Sequence, residues 1–113
     1  MEDKTKEIND LSKIIRQEIK ETKSQFINII NYINTNKIKL DLSLQINMIE
    51  LIKLWRNNKN ANIDYYFNMK NYHTYITGKF INNELSNMWD QYLLDCLEFR
   101  VKLLNLNHLL QNI

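Results

Sequence analysis

Residues 82–111 read NNELSNMWDQYLLDCLEFRVKLLNLNHLLQ, without a proline or a glycine. Leu85, Trp89, Tyr92, Cys96, Phe99, Leu103, Leu106 and Leu110 recur every three or four residues, the period of an amphipathic helix. Asn82 or Asn83 is suited to start it, because a short polar side chain can accept from the free N–H groups of the first turn. Asn87, Gln91, Asp95, Glu98, Lys102 and Asn105 form its wet face. Leu94, Leu97, Val101 and Leu104 lie beside the inner stripe, so well over half the circumference is apolar, more than one face of a small bundle needs.

The rest of the chain supports the same class. One glycine and no proline in 113 residues remove the strongest helix breakers. Upstream, Ile8, Leu11, Ile15, Ile19, Phe26, Ile30 and Ile33 place one apolar stripe on a helix of about 30 residues. Glu2 and Asp3 at its start and Lys37 and Lys39 beyond its end complement the helix dipole. Residues 38–48 alternate like a half-buried strand, through Ile38, Leu40, Leu42, Leu44, Ile46 and Met48. No second run of this kind exists to pair with it, so an extended connector is expected, with Asp41 or Ser43 as N-cap of a helix ending near Asn57. Leu44 to Trp55 are apolar round most of that helix, which predicts the most buried element. Asn57-Asn58-Lys59-Asn60 is a loop. Asn62 or Asp64 can cap a third helix with Tyr65, Met69, Tyr72 and Ile76 on one side, and Gly78 is its natural stop.

The expectation is therefore a single all-α domain over 1–113, a small bundle of about four helices whose two terminal helices are long, about 45 Å each at the α-helical rise. Short helices cannot fully cover long ones. The surplus strip on the last helix and the overhang of the first suggest a homodimer or a groove for a partner helix, unless the middle helices wrap round to cover it.

Composition bounds the function. Eighteen asparagines, sixteen isoleucines and twelve lysines stand against three arginines and one alanine, a bias that AT-rich codons explain. A low-GC bacterium, a phage or a mobile element fits that coding style. The longest apolar run is too short for a bilayer core of about 30 Å, and Met1-Glu2-Asp3-Lys4 opens on charges, so a cytoplasmic protein without membrane contact is expected. Cys96, between leucines, reads as a small buried hydrophobe.

Chemistry-bearing patterns are few. A single glycine leaves no phosphate-cradling loop, dinucleotide fingerprint or nucleophile elbow. His73, His108 and Cys96 fall at no zinc-ligand spacing, and no cofactor or metal is expected. Asp95 and Glu98 share a face that reads as solvated. His73 lies in Lys70-Asn71-Tyr72-His73-Thr74-Tyr75 and reads as a core-edge side chain with one hydrogen bond. That segment is similar over six residues to the motif of the small all-helical HEPN ribonucleases, which place an arginine four to six residues before a histidine. Here the nearest upstream arginine is Arg56, seventeen residues away. The resemblance implies a small ribonuclease, or an inactive relative that acts only by binding.

Two binding readings remain. Tyr65, Tyr66, Phe67, Tyr72, Tyr75 and Phe80 cluster with Lys70 and Lys79, a mixture that can stack on bases and contact phosphates. With Lys53, Arg56 and Lys59 this gives a candidate nucleic-acid set of Lys53, Arg56, Lys59, Lys70, Tyr72 and Tyr75. Charge argues against it: the balance is +2 over residues 1–39, +2 over 40–79 and −2 over 80–113, too even for a dominant phosphate-binding face. The favoured reading is a non-enzymatic protein-binding module, either a homodimer or a small inhibitor or immunity-type protein. Arg100, a charge on the apolar side of the last helix, is its first anchor residue, with Trp89, Trp55 and Tyr66 behind it and Leu97, Val101 and Leu104 around it.

Overall fold

The computed structural model describes residues 2–57 and 63–112. Four helices follow in order: α1 (Glu2–Thr35), α2 (Leu42–Asn57), α3 (Ile63–Ile76) and α4 (Asn83–Gln111). At 1.5 Å per residue α1 is about 51 Å long and α4 about 44 Å, and the molecule measures 54 × 21 × 20 Å. It is an all-α bundle, as the periodicities predict.

Local signals explain the ends. α1 closes with Ile38 N–H on Ile33 O at 3.0 Å and Lys37 N–H on Asn34 O at 3.3 Å. Lys37 takes a left-handed φ of 51° to make this closure, a Schellman-type turn on a residue other than glycine. The strand-like alternation of residues 38–48 divides as expected: a short connector, then Asp41 Oδ1 accepting from Leu44 N–H at 2.8 Å at the head of α2. α3 starts at Ile63, so Asp64 lies inside the helix and not at its cap, and Asn62 and the loop at 58–60 lie outside the described residues. Gly78, at φ 81°, follows α3 in the left-handed conformation that glycine adopts without strain.

Asn82 caps α4, its side chain accepting from Leu85 N–H at 2.9 Å. The same oxygen takes the Tyr32 hydroxyl at 3.3 Å, tying the cap to α1. Replacing Asn82 with alanine is expected to lower stability by about 1 kcal/mol, read as a shift of the urea midpoint with unchanged slope.

The helices run up and down. α1 and α4 are antiparallel along a polar seam in which Tyr32 bonds Glu84 at 3.1 Å, Gln25 bonds Asp95, and Lys102 pairs with Glu18. The seam changes the reading of the wet face of α4: Asp95 and Lys102 are half-buried against α1, because the long helices approach on that side. α2 and α3 cover only part of the long pair. Trp55, in the last turn of α2, meets Phe26, Tyr92 and Phe99, and Tyr66, near the start of α3, meets Phe99. Beyond that level the first turns of α1 and the last turns of α4 stand alone as a pair. Leu110, placed on the inner stripe by its period, is consequently 51% exposed.

α2 is not the most buried element. Leu44, Met48, Leu51 and Trp55 are inside, but Leu42, Ile46 and Ile49 face outward. An apolar circumference is buried only where neighbours surround it, and one side of α2 has none. For its length α3 exceeds it, with Tyr66, Met69, His73 and Ile76 buried in 14 residues, and the longer α4 buries Leu85, Trp89, Tyr92, Cys96, Phe99 and Leu103.

Candidate functional site

The face formed by α3 and α4 is built on an aromatic core. Tyr92 lies at its centre, fully buried, with Phe26 stacked at 5.5 Å and Trp89 and His73 at 5.1 and 5.2 Å between ring centroids. Trp55 Nε1–H donates to the Tyr92 hydroxyl at 2.9 Å, and His73 Nε2 lies 2.7 Å from the same oxygen. Indole can only donate, so the assignment that satisfies all three groups gives the phenol hydrogen to a neutral His73. Trp89 Nε1–H donates to Thr77 Oγ1 at 3.1 Å, and Thr77 donates to His73 O at 2.7 Å. The Trp55, Trp89 and Tyr92 polar tips are therefore satisfied, as burial demands.

Burial also sets the titration of the cluster. Loss of water around His73, which is 5% exposed, pulls its pKa from 6.5 to about 4. Desolvation pushes the Cys96 thiol up to about 12 and the Tyr92 phenol well above its usual value. None of the three is poised for proton transfer near neutrality. His73 is a core hydrogen-bonding group, and the arginine that shares its groove is Arg100, on α4, rather than Arg56.

Above this core runs a shallow groove of about 220 Å³, lined from α3 by Tyr66, Lys70, His73, Thr74 and Thr77 and from α4 by Leu93, Cys96, Leu97 and Arg100. Beside it Leu94, Leu97, Val101 and Leu104 are 56%, 45%, 56% and 42% exposed. Their spacing is three, four, three, the repeat of a helix seam that packs against another helix. The middle helices leave the strip open. Phe67, also half-exposed, follows Tyr66 on α3, ring against ring at 6.1 Å.

Arg100 occupies the boundary between groove and strip. Its guanidinium lies 5.0 Å over the Tyr66 ring. Its Nε is buried and has no hydrogen-bond partner. No carboxylate among the described residues pairs with it; the ion pairs there are Lys53–Glu50 at 3.3 Å and Lys102–Glu18. A desolvated donor of this kind favours an acceptor arriving from outside.

The structure separates the expected contact residues. Arg100, Leu97, Val101 and Leu104 share one face, whereas Trp89, Trp55 and Tyr66 are core, 1%, 2% and 6% exposed. Their periodicity belonged to the inner stripe of each helix, so they support the face from below and present nothing to a partner. The nucleic-acid set does not converge. Lys70 lines the α3/α4 groove, Arg56 lines a groove between α1 and α2, and Tyr72 and Tyr75 pack half-buried against the core, with Lys79 4.3 Å from the Tyr75 ring centroid. Lys59 lies outside the described residues.

Asp95 takes Gln25 and Gln91 as partners, and Glu98 points outward. Among the described residues no three His, Cys, Asp or Glu side chains gather as a metal site would require, and no helix is long and apolar enough to cross a membrane. No protein-family model matches the chain, and neither a curated protein nor a solved structure shows significant similarity to it.

Proposed function

We propose that this chain is a non-enzymatic, protein-binding helical module, and that its contact face is the α4 strip with the adjoining α3/α4 groove. The observation that carries the reading is the heptad-spaced exposure of Leu94, Leu97, Val101 and Leu104 beside an arginine with an orphaned buried Nε. A seam of this spacing is complementary to another helix, and the one helix always present in solution is α4 of a second copy.

Magnitudes favour a modest dimer. Burying a half-exposed leucine yields about 1 kcal/mol, so eight such residues across a two-fold interface contribute about 8 kcal/mol. Association costs of similar size oppose this. The small surplus left makes self-association weak and concentration-dependent, with a dissociation constant in the millimolar range or above, so the strip remains available for exchange with a tighter helical partner. That exchange suits an inhibitor or immunity-type protein acting in the cytoplasm, a role supported by the coding style of an AT-rich bacterium, phage or mobile element.

Light scattering across that range tests the reading. The expected result is a mass rising from 13.7 kDa toward twice that value, and reverting to 13.7 kDa in the Leu97→Glu/Val101→Glu variant with helicity retained. A wild-type mass fixed at 13.7 kDa at the highest concentration would remove self-association.

A further inference from the structure

From Glu7 to Lys23 the charges of α1 balance along the sequence but not around the helix. At about 100° per residue, Lys13, Arg16, Lys20 and Lys23 fall within an arc of about 80°, and Glu7, Asp10, Glu18 and Glu21 within another, centred about 140° away. Packing fixes which way each arc faces. Glu18, Gln25 and Tyr32 bond to α4, and Glu7 and Asp10 line a cleft with Asn105 and His108, so the acidic arc faces α4. Lys23 lines the groove with Ile27, Ile30, Ile52 and Arg56, so the basic arc continues onto α2, where Lys53 and Arg56 extend it. This groove shares no residue with the α3/α4 groove.

Five of these six cations, Lys13, Arg16, Lys20, Lys23 and Arg56, take part in neither of the ion pairs among the described residues. All but half-buried Lys23 are exposed. Between and beside them on α1 stand Asn9 and Ser12, neutral side chains that bond phosphate oxygens.

We propose that this basic face of α1 and α2 is a binding site for the sugar–phosphate backbone of a nucleic-acid duplex. The cations from Lys13 to Lys23 span about 15 Å of helix axis, a length over which one strand of a duplex presents about four phosphates at 3.4 Å each. Two features select the occupant. Single strands are held by stacking on aromatic side chains, and Trp55, the one aromatic on the α2 side of the groove, is buried at 2% exposure. Stable anchoring in a lipid surface takes apolar side chains inserted among the cations, and the stretch from Asn9 to Lys20 on this arc carries none; Ile27 and Ile49, the exposed isoleucines on this side, lie at its other end. Binding is through backbone charge and is not sequence-specific, because nothing on the face is placed to read base edges.

Fluorescence anisotropy with a 20-base-pair labelled duplex tests the site. Binding is expected at about 20 mM salt and should weaken by three to four powers of ten by about 200 mM, the response to roughly four neutralised phosphates. Arg16→Gln/Lys20→Gln should weaken binding at least tenfold at low salt and reduce the log–log salt slope by about two. Lys39→Gln/Lys79→Gln removes the same charge elsewhere and should change affinity by less than about twofold, which separates the site from net charge. Absence of binding at low salt, or equal losses in the two double variants, overturns the assignment. Retention on anionic phospholipid vesicles without binding to the duplex also overturns it, and would make the face a lipid contact.

Discussion

Replacing Tyr92 with alanine is expected to lower the unfolding free energy by about 4 kcal/mol, the upper range for deleting a buried aromatic. The ring fills the space between Phe26, Trp55, Trp89 and His73, contributed by all four helices. Removing it leaves a cavity that four separate helices would have to shift to close. The loss also strands the Trp55 N–H and the His73 imidazole, both of which have Tyr92 as partner, and an unpaired buried polar group costs about 1–3 kcal/mol. Domains of this size hold only about 5–15 kcal/mol in total, so the variant should lose a large share of its stability and unfold at a much lower urea concentration. Urea denaturation followed by tryptophan fluorescence and far-UV dichroism measures the effect. Tyr92→Phe, which keeps the ring and removes only the hydroxyl, should lose about half as much. A loss under 1 kcal/mol for the alanine variant would show that the core is not organised on this residue.

The second large effect is pH-dependent. The unfolded chain takes up a proton on His73 below about 6.5, whereas the folded chain does not until about 4, because the imidazole is buried. Between these values the unfolded state binds more protons, so stability is complete above pH 6.5 and falls as pH drops toward 4. A difference of this size corresponds to about 3 kcal/mol. Denaturation midpoints at pH 7.5, 6.5, 5.5 and 4.5 should fall steadily for the wild-type chain. His73→Gln, which keeps an acceptor for Tyr92 and cannot titrate, should be flatter over the same interval. Parallel slopes would locate the acid sensitivity in the carboxylates instead.

The α3/α4 face and the basic face of α1 were legible to different degrees. Leu97, Val101 and Leu104 stood out because they exceeded what one helix face can bury, and the short middle helices leave them open. Arg100 was identified by phase alone. Trp55, Trp89 and Tyr66 were misplaced as contact residues, since an aromatic at helical spacing looks the same on the inner stripe as at an interface. The basic arc was hidden by counting: six cations and six carboxylates share residues 2–23, and their sum conceals that from Glu7 to Lys23 the helix sorts four of each onto separate flanks. Helical phase was available from the sequence. Which flank would be covered by α4 was not.

By itself, the sequence determined the four helices and the heads of α2 and α4. With one glycine and no proline, a 3.6-residue period through both long segments, and Asp41 and Asn82 placed to satisfy the free N–H groups of α2 and α4, local physics leaves few alternatives. The tertiary structure decided which apolar surfaces are spent. Trp55, His73 and Tyr92 come from three distant helices, and their mutual hydrogen bonds exist only once those helices pack. The same packing, running out of helix before it covers α4 and the flank of α1, determines which apolar and charged surfaces are left open.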